Sequence, residues 1–171
     1  MQPIDLSDRV VVGIDNGLGG ALAAIRGYDG SLIEHTPMPL VQYRDKKEPN
    51  IKVIYEWIVQ FDDCPYVGLE EPLRHARSSQ AMRSMSICYG MIKGMLIMEP
   101  EFSSHMIQVR DWQSKILGKT PRGQTKEAAL ALAQQLEPGE KWLKSPRATT
   151  PSDGAIDAYL IARYLRGELS A

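Results

Sequence analysis

The sequence has few cysteines and no long hydrophobic run. Its two cysteines, Cys64 and Cys88, lie far apart and in no ligand-like spacing. This excludes a disulfide framework, and we expect both to be ordinary buried thiols of a reducing compartment. No apolar segment approaches the roughly 20 residues that span a bilayer, and residues 1–9 lack a charged-then-apolar signal pattern. We therefore expect a cytoplasmic protein without membrane association.

An excess of one charge sign is also lacking, because the formal net charge at pH 7 is only −1. A neutral total argues against a nucleic-acid partner, since proteins that neutralise phosphates usually carry a basic excess. The distribution argues the other way, because residues 74–126 hold nine basic residues against three acidic ones. A neutral chain can therefore present a basic face, although each of these charges taken singly is also explained as a solvated surface residue.

The length and composition fit one globular domain over residues 1–171. The chain is 43% hydrophobic, which is enough to bury a core without a second domain for support. No internal repeat or low-complexity tract divides the sequence. We therefore expect a single domain.

The first third of the chain predicts an antiparallel meander. Apolar residues 10–14 end at Asp15 and form a buried strand, and the Asn-Gly-Leu-Gly-Gly turn that follows leads into a second strand at 21–26. A Tyr-Asp-Gly turn then precedes a third strand at 31–36. The polar residues 38–49 have turn formers at each end, and we expect a loop there.

The remaining segments alternate helices and strands. Strand–helix–strand crossovers imply parallel pairing, so we predict an α/β fold with a mixed five-stranded sheet, in which the antiparallel meander is extended by parallel strands and flanked by helices. The predicted strands are 66–70 and 104–109, and the predicted helices are 51–62 with Asn50 as N-cap, 78–98, 111–117, 126–136 with Thr125 as cap, and 153–166 between Ser152 and a stop at Gly167.

The predicted helix at 78–98 is apolar on more than one face. A helix of this kind must bury both sides, so one side would pack in the core and the other against a second subunit. A single wide core stripe explains the same pattern equally well.

Four acidic residues form the candidate chemical constellation. Asp15 and Glu70 each end an apolar strand, where a carboxylate is costly unless something pairs with it. If the two strands are adjacent, their side chains project from the same edge of the sheet. Asp153 and Asp157 are four residues apart on the last predicted helix and therefore share one face.

Four converging acids would repel one another unless cations neutralise them. Oxygen-only ligands suit Mg²⁺ or Mn²⁺, and a two-metal carboxylate site is a recurrent arrangement for phosphodiester hydrolysis. We therefore predict that Asp15, Glu70, Asp153 and Asp157 bind Mg²⁺ or Mn²⁺, with two ions in each site. One ion would activate the attacking water and the other would stabilise the leaving 3′ oxygen.

Each acid has a simpler explanation when taken alone. Asp153 also complements the helix dipole as a first-turn acid, and Asp15 also suits the start of the Asn-Gly turn. Glu71 points to the opposite face of the strand from Glu70 and is expected on the surface. The prediction depends on the joint occurrence of the acids.

These motifs resemble those of the RuvC-like Holliday junction resolvases of the RNase H-like superfamily, and of the phage-encoded branch in particular. The resemblance covers most of the chain in collinear order. The segments that carry it are Val-Gly-Ile-Asp-Asn-Gly at 12–17, Val-Gly-Leu-Glu at 67–70, Ser-Ser-Gln at 78–80 leading to Tyr-Gly at 89–90 and Gly-Met-Leu at 94–96, Val-Arg-Asp-Trp-Gln at 109–113, Lys-Glu-Ala-Ala-Leu at 126–130, and the acidic helix at 153–162.

The resemblance implies an RNase H-like fold and a homodimer that places paired nicks across a four-way junction. It also implies that Asp15, Glu70 and Asp157 are catalytic metal ligands, with Asp153 as a fourth. The chain departs from the family in three ways: Asn16 replaces a frequent proline, Asp153 and Asp157 are four apart where bacterial resolvases commonly have three, and Ser152 stands where some phage relatives have histidine.

Basic residues near these motifs are the predicted DNA contacts. Those after the Glu70 strand must lie near the metal edge, where guanidinium groups can hold phosphates. The three tryptophans, at 57, 112 and 142, are expected in the core or an interface, and His35 and His105 are expected to be structural. The predicted DNA-binding residues are Arg74, Arg77, Arg83, Lys115, Lys119, Arg122 and Lys126.

The sequence as a whole thus favours a metal-dependent, structure-selective DNA endonuclease, a crossover junction endodeoxyribonuclease that leaves 5′ phosphates. Two alternatives stay open: a nuclease of the same fold that acts on other branched DNA or RNA-containing hybrids, and a non-catalytic junction-binding protein with a decayed site. A sugar or acetate kinase, which shares the Asp-Asn-Gly start, would need a far longer chain.

Overall fold

The computed structural model describes residues 4–72, 78–145 and 147–171. Five strands form one sheet in the order β3-β2-β1-β6-β7, in which β3, β2 and β1 are antiparallel and β1, β6 and β7 are parallel. The predicted mixed sheet and its meander are confirmed. The elements are β1 (Val10–Asp15), β2 (Ala21–Arg26), β3 (Leu32–Pro37), β4 (Leu40–Tyr43), β5 (Lys46–Pro49), α1 (Ile51–Val59), β6 (Tyr66–Glu70), α2 (Ser79–Met98), β7 (Ser103–Ile107), α3 (Val109–Ile116), α4 (Thr125–Leu136) and α5 (Asp153–Leu169).

Both faces of the main sheet are covered by helices. Along β1, Val11 contributes to the core shared with α3, α4 and α5, whereas Val12 and Ile14 contribute to the core shared with α1 and α2. Successive strand residues point to opposite faces, so a strand covered on both sides must be apolar throughout. This is why residues 10–14 form a continuous apolar run.

The segment predicted as a loop at 38–49 is a β-hairpin, so that prediction is wrong. Strands β4 and β5 pair antiparallel from Leu40 opposite Pro49 to Tyr43 opposite Lys46. The backbone N–H of buried Met38 donates to the Gly20 carbonyl at 2.9 Å, which fixes the base of the hairpin against the first turn. The hairpin residues lack an alternating apolar face, and such a face is the signal that identifies a strand in a sequence.

Several predicted boundaries also need correction. Strand β7 ends at Ile107, so Val109 begins α3 instead of ending the strand. Thr125 is the first residue of α4, and its N-cap is Gln124, whose side chain makes no capping hydrogen bond. Helix α5 continues through Gly167 to Leu169. A helical glycine costs only about 0.5–1 kcal/mol relative to alanine, and the buried Leu169 offsets that cost.

The predicted caps at Asn50 and Ser152 are confirmed, and Ser78, predicted as the first residue of its helix, is a cap as well. The side chains of Asn50, Ser78 and Ser152 accept hydrogen bonds from the backbone N–H groups three residues later, at 3.4, 3.1 and 3.4 Å. A cap of this kind supplies an acceptor to an N–H group that the helix itself leaves unpaired. The starts of α1, α2 and α5 are therefore encoded locally.

Both cysteines are free thiols, as expected. Cys88 is buried in the core, and burial raises the pKa of its thiol to about 11. Cys64 is only partly buried, so the expectation of a buried side chain is wrong there. No helix within the described ranges is both long and apolar enough to cross a membrane.

Candidate active site

Asp15 and Glu70 lie at matching ends of two adjacent parallel strands. Ile14 of β1 is in register with Leu69 of β6, so the two acids follow one position later on both strands. Alternation along each strand puts Asp15 on the same face as Gly13 and Glu70 on the same face as Gly68. Both glycines face α5. The two carboxylates therefore project together towards the helix that carries Asp157.

Two glycines allow α5 to approach this edge closely. A Cβ at Gly13 would lie 2.0 Å from the Ala158 carbonyl oxygen, and a Cβ at Gly154 would lie 2.8 Å from the Gly19 carbonyl oxygen. Only glycine avoids such overlap with backbone atoms. The helix is thus in direct backbone contact with β1 and with the turn that follows Asp15. This contact brings Asp157 beside the strand ends.

The acids in this cluster are electrostatically coupled. Asp15 is largely enclosed, and burial, followed by the negative charges of Glu70 and Asp157, raises its pKa well above the usual value. Burial also raises the pKa of Glu70. Burial, followed by the charges of Glu70 and Asp153, raises the pKa of Asp157 to about 7. Burial and the neighbouring negative charges therefore make Asp15 and Asp157 harder to ionise.

Asp15 and Glu70 also share a hydrogen bond, which raises the pKa of Asp15 and lowers that of Glu70. The two carboxyl groups therefore interact directly at the position where the sequence predicts a cation.

Trp112 is the neutral donor in the cluster. Its indole Nε1–H donates to Glu70 Oε1 at 2.8 Å, and both side chains are buried, with Glu70 7% exposed. This hydrogen bond opposes the effect of burial on the Glu70 pKa. It also distinguishes Glu70 from its neighbour Glu71, which lies on the other face of the strand and is partly exposed. The prediction that tryptophan 112 is a core residue is confirmed, but no signal in the sequence indicates its hydrogen bond.

Asp153 stands at the first turn of α5 and is exposed, unlike the other three acids. Its carboxylate forms an ion pair with Lys126 of α4. The positive charge of Lys126 also lowers the pKa of Asp157, against the larger opposite effects. Asp153 therefore borders the buried cluster, and Lys126 lies at the rim of the acidic edge.

The other predicted DNA contacts are dispersed. Arg83 is exposed on α2, and Lys119 and Arg122 are exposed on the loop before α4. Lys115 pairs with Glu168. Glu168 lies 11 residues after Asp157 on α5, which corresponds to about 16 Å along the helix, so Lys115 is far from the acidic edge. Arg74 and Arg77 lie outside the described residues.

The two described histidines have structural neighbours, as expected. His35 stacks on Trp142 with 5.6 Å between ring centroids. His105 lies 3.2 Å from the Ser103 hydroxyl. Trp142 is fully buried, whereas Trp57 is partly exposed and donates to Glu34 at 3.3 Å.

The cluster offers negative charge without a ready-made coordination shell. Among the side chains of the described ranges, no three or more His, Cys, Asp or Glu groups are arranged as a metal-ion site. Asp15 and Glu70 are bonded to each other, and Asp153 is turned to Lys126. What the arrangement provides is three enclosed, mutually repelling carboxylates with a fourth at their rim.

Comparisons with known proteins identify the fold. No protein-family model matches the chain, and no curated protein matches it. The structure is similar to that of RuvC from Thermus thermophilus in complex with a Holliday junction substrate, with a TM-score of 0.60, 16% sequence identity, and coverage of 95% of this chain and 98% of that chain. A second Thermus thermophilus RuvC structure gives a TM-score of 0.59 at the same identity and coverage. The chain has the RNase H-like fold of RuvC.

Proposed function

We propose that the protein is a divalent-metal-dependent endonuclease that acts on branched DNA, with four-way junctions as its preferred substrate. One observation carries the proposal: Asp15, Glu70 and Asp157 meet at one sheet edge, where burial, followed by the neighbouring negative charges, raises the pKa values of Asp15 and Asp157. They do so in a chain whose structure is similar, over 95% of its length, to a RuvC bound to a Holliday junction substrate. Acidic groups that are unfavourable to the fold are typical of functional sites.

The donor set of the acidic edge fits a hard divalent cation. Its ligating atoms are all carboxylate oxygens, which Mg²⁺ and Mn²⁺ prefer. The raised pKa values of Asp15 and Asp157 reflect burial first and neighbouring negative charge second, and a bound cation would offset both. In our proposal Asp15, Glu70 and Asp157 hold two ions, with Asp153 as a further ligand. The ions, when bound, would supply an activated water and stabilise the leaving 3′ oxygen.

The remaining residues of the edge would orient and screen these ligands. Trp112 holds one oxygen of Glu70 by its hydrogen bond and so orients the carboxylate. Ser152 caps α5 and fixes the turn that presents Asp153. Lys126 is ion-paired with Asp153 at the rim of the acidic edge, and in our proposal it contacts a phosphate next to the scissile bond. Exchange of the Asp153 carboxylate for a DNA phosphate would keep its charge balanced.

Paired nicks across a junction need two active sites, so we propose a homodimer. Helix α2 buries Cys88, Ile92 and Leu96 against the sheet. The same helix leaves Ile97 and Met98 exposed, with relative accessibilities of 63% and 78%. Large apolar side chains exposed on one helix are a common feature of subunit interfaces. This supports the two-sided interpretation of the helix pattern.

Cleavage of a defined substrate panel tests the function. End-labelled four-way junctions, flaps, forks, linear duplexes and RNA–DNA hybrids are incubated with the protein in Mg²⁺, in Mn²⁺ and in EDTA. We expect symmetric nicks with 5′ phosphates in the junction, no cutting in EDTA, and little cutting of linear duplex. Asp15→Asn should stop the cutting while junction binding persists, and Asp63→Asn, at an exposed acid remote from the edge, is the matched control.

The outcomes separate the proposal from its rivals. Preferred cutting of flaps, forks or hybrids would keep the nuclease chemistry and reject the junction as substrate. Junction binding in EDTA with no cutting under any metal would identify a non-catalytic junction-binding protein. Cutting by Asp15→Asn at the wild-type rate would reject the proposed site.

A further inference from the structure

A groove lies between the hairpin of β4 and β5 and the N-terminal half of α2. Its volume is about 560 Å³, and most of the side chains that line it are polar or basic. This volume is within the usual range of ligand-binding clefts, which is roughly 300–1,000 Å³. Its lining includes Leu18, Lys46, Lys47, Gln80 and Arg83.

The walls of this groove are attached to the turn that follows Asp15. Leu18, which lines the groove, belongs to that turn. The base of the hairpin is bonded to the same turn through Met38 and the Gly20 carbonyl, at 2.9 Å. On the other side, Asn16 Nδ2 donates to the Met85 carbonyl of α2 at 3.3 Å. Both walls of the groove are therefore bonded to the turn that follows Asp15, and the groove begins beside the acidic edge.

The groove carries unpaired positive charge. Lys46, Lys47 and Arg83 are all exposed, and none of them forms an ion pair with another residue in the part of the chain that the structure describes. Among the described residues that line the groove, Glu48 is the only acid. Three cations against one anion give a surface that attracts phosphate groups.

The tip of the hairpin adds an exposed aromatic ring. Tyr43 is 55% exposed. The guanidinium carbon of Arg44 lies 5.4 Å from the centre of the Tyr43 ring. An exposed aromatic ring beside cations is the combination that binds single-stranded nucleic acid, because bases stack on the ring while the cations hold phosphates.

We propose that this groove binds one DNA strand next to the acidic edge, with Lys46, Lys47 and Arg83 holding the sugar–phosphate backbone and Tyr43 stacking on an unpaired base. This proposal rests on the proposed function, which brings a DNA strand to the acidic edge. A strand that leaves that edge along the turn enters the groove. An unpaired base is available where strands exchange at a branch point. In this proposal the hairpin holds the DNA strand in place, which the acidic residues do not do.

Binding measured without metal tests the groove separately from cutting. The Kd of a fluorescent four-way junction is measured in EDTA over a series of salt concentrations. Lys46→Ala/Lys47→Ala should weaken binding at 0.1 M salt about tenfold, and it should reduce the slope of log Kd against log salt by about two. The matched control is Lys141→Ala/Lys144→Ala, which removes the same charge from two exposed lysines outside the groove. We expect it to bind like the wild type.

Photocrosslinking tests the stacking contact. A junction with 5-iododeoxyuridine at the branch point should crosslink to the peptide that contains Tyr43, and Tyr43→Leu should lose the crosslink. Crosslinks that map only to other peptides would overturn this part of the proposal. Sedimentation of each variant shows whether its oligomeric state has changed. A changed state in Lys46→Ala/Lys47→Ala, with unchanged DNA affinity of the remaining species, would identify the groove as an interface between copies and overturn the DNA assignment.

The two proposals fail in different ways. If the wild type cuts junctions and the two double variants bind DNA with equal affinity, the groove is rejected and the nuclease function stands. If the wild type cuts nothing and only Lys46→Ala/Lys47→Ala loses DNA affinity, the groove is supported and the nuclease function is rejected.

Discussion

The charged side chains at the two ends of helix α5 have opposite electrostatic surroundings. At the C-terminal end, Arg163 donates to the Gly30 carbonyl at 3.0 Å, and Arg166 donates to two further carbonyls of the same turn at 2.6 and 2.7 Å. At the N-terminal end, burial, followed by the like charges of Glu70 and Asp153, raises the pKa of Asp157 to about 7. The charges at one end are hydrogen-bonded within the fold, whereas the carboxylate at the other end is repelled by its neighbours.

This difference separates charges that stabilise the fold from charges that the fold merely tolerates. Arg166, in the last turn of α5, also complements the negative end of the helix dipole. Asp157 brings no comparable gain, because it is enclosed and is repelled by Glu70 and Asp153. The rest of the structure tolerates this local repulsion between carboxylates. This indicates that these residues are retained because they bind a partner outside the chain. Substitutions at both ends of the helix, and a change of pH, test whether the two ends differ in this way.

The largest expected effect comes from Asp157→Asn. Removal of the repelling charge should lower cleavage activity on the order of 10³-fold and raise the Tm of the metal-free protein by roughly 4 °C. Calorimetry in EDTA and junction cleavage in Mg²⁺ measure the two effects. A variant that loses both stability and activity would show that Asp157 supports the fold, which contradicts the division.

The close approach of α5 to β1 is tested by Gly13→Ala. The added methyl group would meet the Ala158 carbonyl oxygen at 2.0 Å and the Ala162 nitrogen at 2.5 Å. Displacement of the helix should cost about 1–3 kcal/mol of unfolding free energy or more, and should reduce activity because Asp157 moves with it. Gly167→Ala is the control on the same helix, since nothing lies within 4 Å of its added Cβ. Urea denaturation of both variants is the measurement, and equal stabilities would refute the close-packing argument.

Trp112→Phe tests whether Glu70 needs its neutral donor. The substitution keeps a buried aromatic side chain and removes the 2.8 Å hydrogen bond. Loss of an outer-shell hydrogen bond to a metal ligand typically costs about 10–100-fold in metal affinity, and we expect the lower end of that range for Mn²⁺. Isothermal titration with Mn²⁺ measures the affinity without DNA. An unchanged Mn²⁺ affinity together with a lower Tm would assign Trp112 a packing role alone.

Arg166→Ala tests the satisfied end of α5. Two charge-assisted hydrogen bonds to backbone carbonyls are lost, so we expect the free energy of unfolding to fall by about 1–2 kcal/mol. Cleavage per folded molecule should match the wild type, because the residue lies more than two helical turns from Asp157. A loss of specific activity in the fully folded variant would show that the two ends of the helix are coupled.

The smallest effect is a pH dependence of stability. Asp157 binds its proton more tightly in the folded protein, with a pKa of about 7 against the usual value of 3.8, so the folded state holds more protons between these values. Stability should therefore be highest below about pH 4 for this group and should fall as pH rises to about 7. Tm measured in EDTA from pH 5 to 8 should decline more in the wild type than in Asp157→Asn. Parallel curves for the two proteins would contradict the pKa shift.

Local sequence signals predict most of the fold. The apolar run before Asp15, the Asn-Gly turn and the caps at Asn50 and Ser152 each act within a few residues, and the corresponding elements are confirmed. The hairpin at 40–49 escapes prediction because its order depends on contacts with the distant turn at Gly20. Gly167 has the local pattern of a helix stop, but the burial of Leu169, a tertiary contact, extends the helix beyond it.

The order of residues is enough to identify which acids end buried strands and which share a helical face, because side-chain direction follows from the strand and helix periods alone. Four features instead depend on how the elements pack: the interaction of Asp15 with Glu70, the hydrogen bond from Trp112 to Glu70, the ion pair of Lys126 with Asp153, and the basic groove at the same turn. These contacts join residues distant in the chain, and their geometry depends on how closely α5 packs on Gly13. Repulsion and burial act through space, so no local pattern in the sequence encodes them.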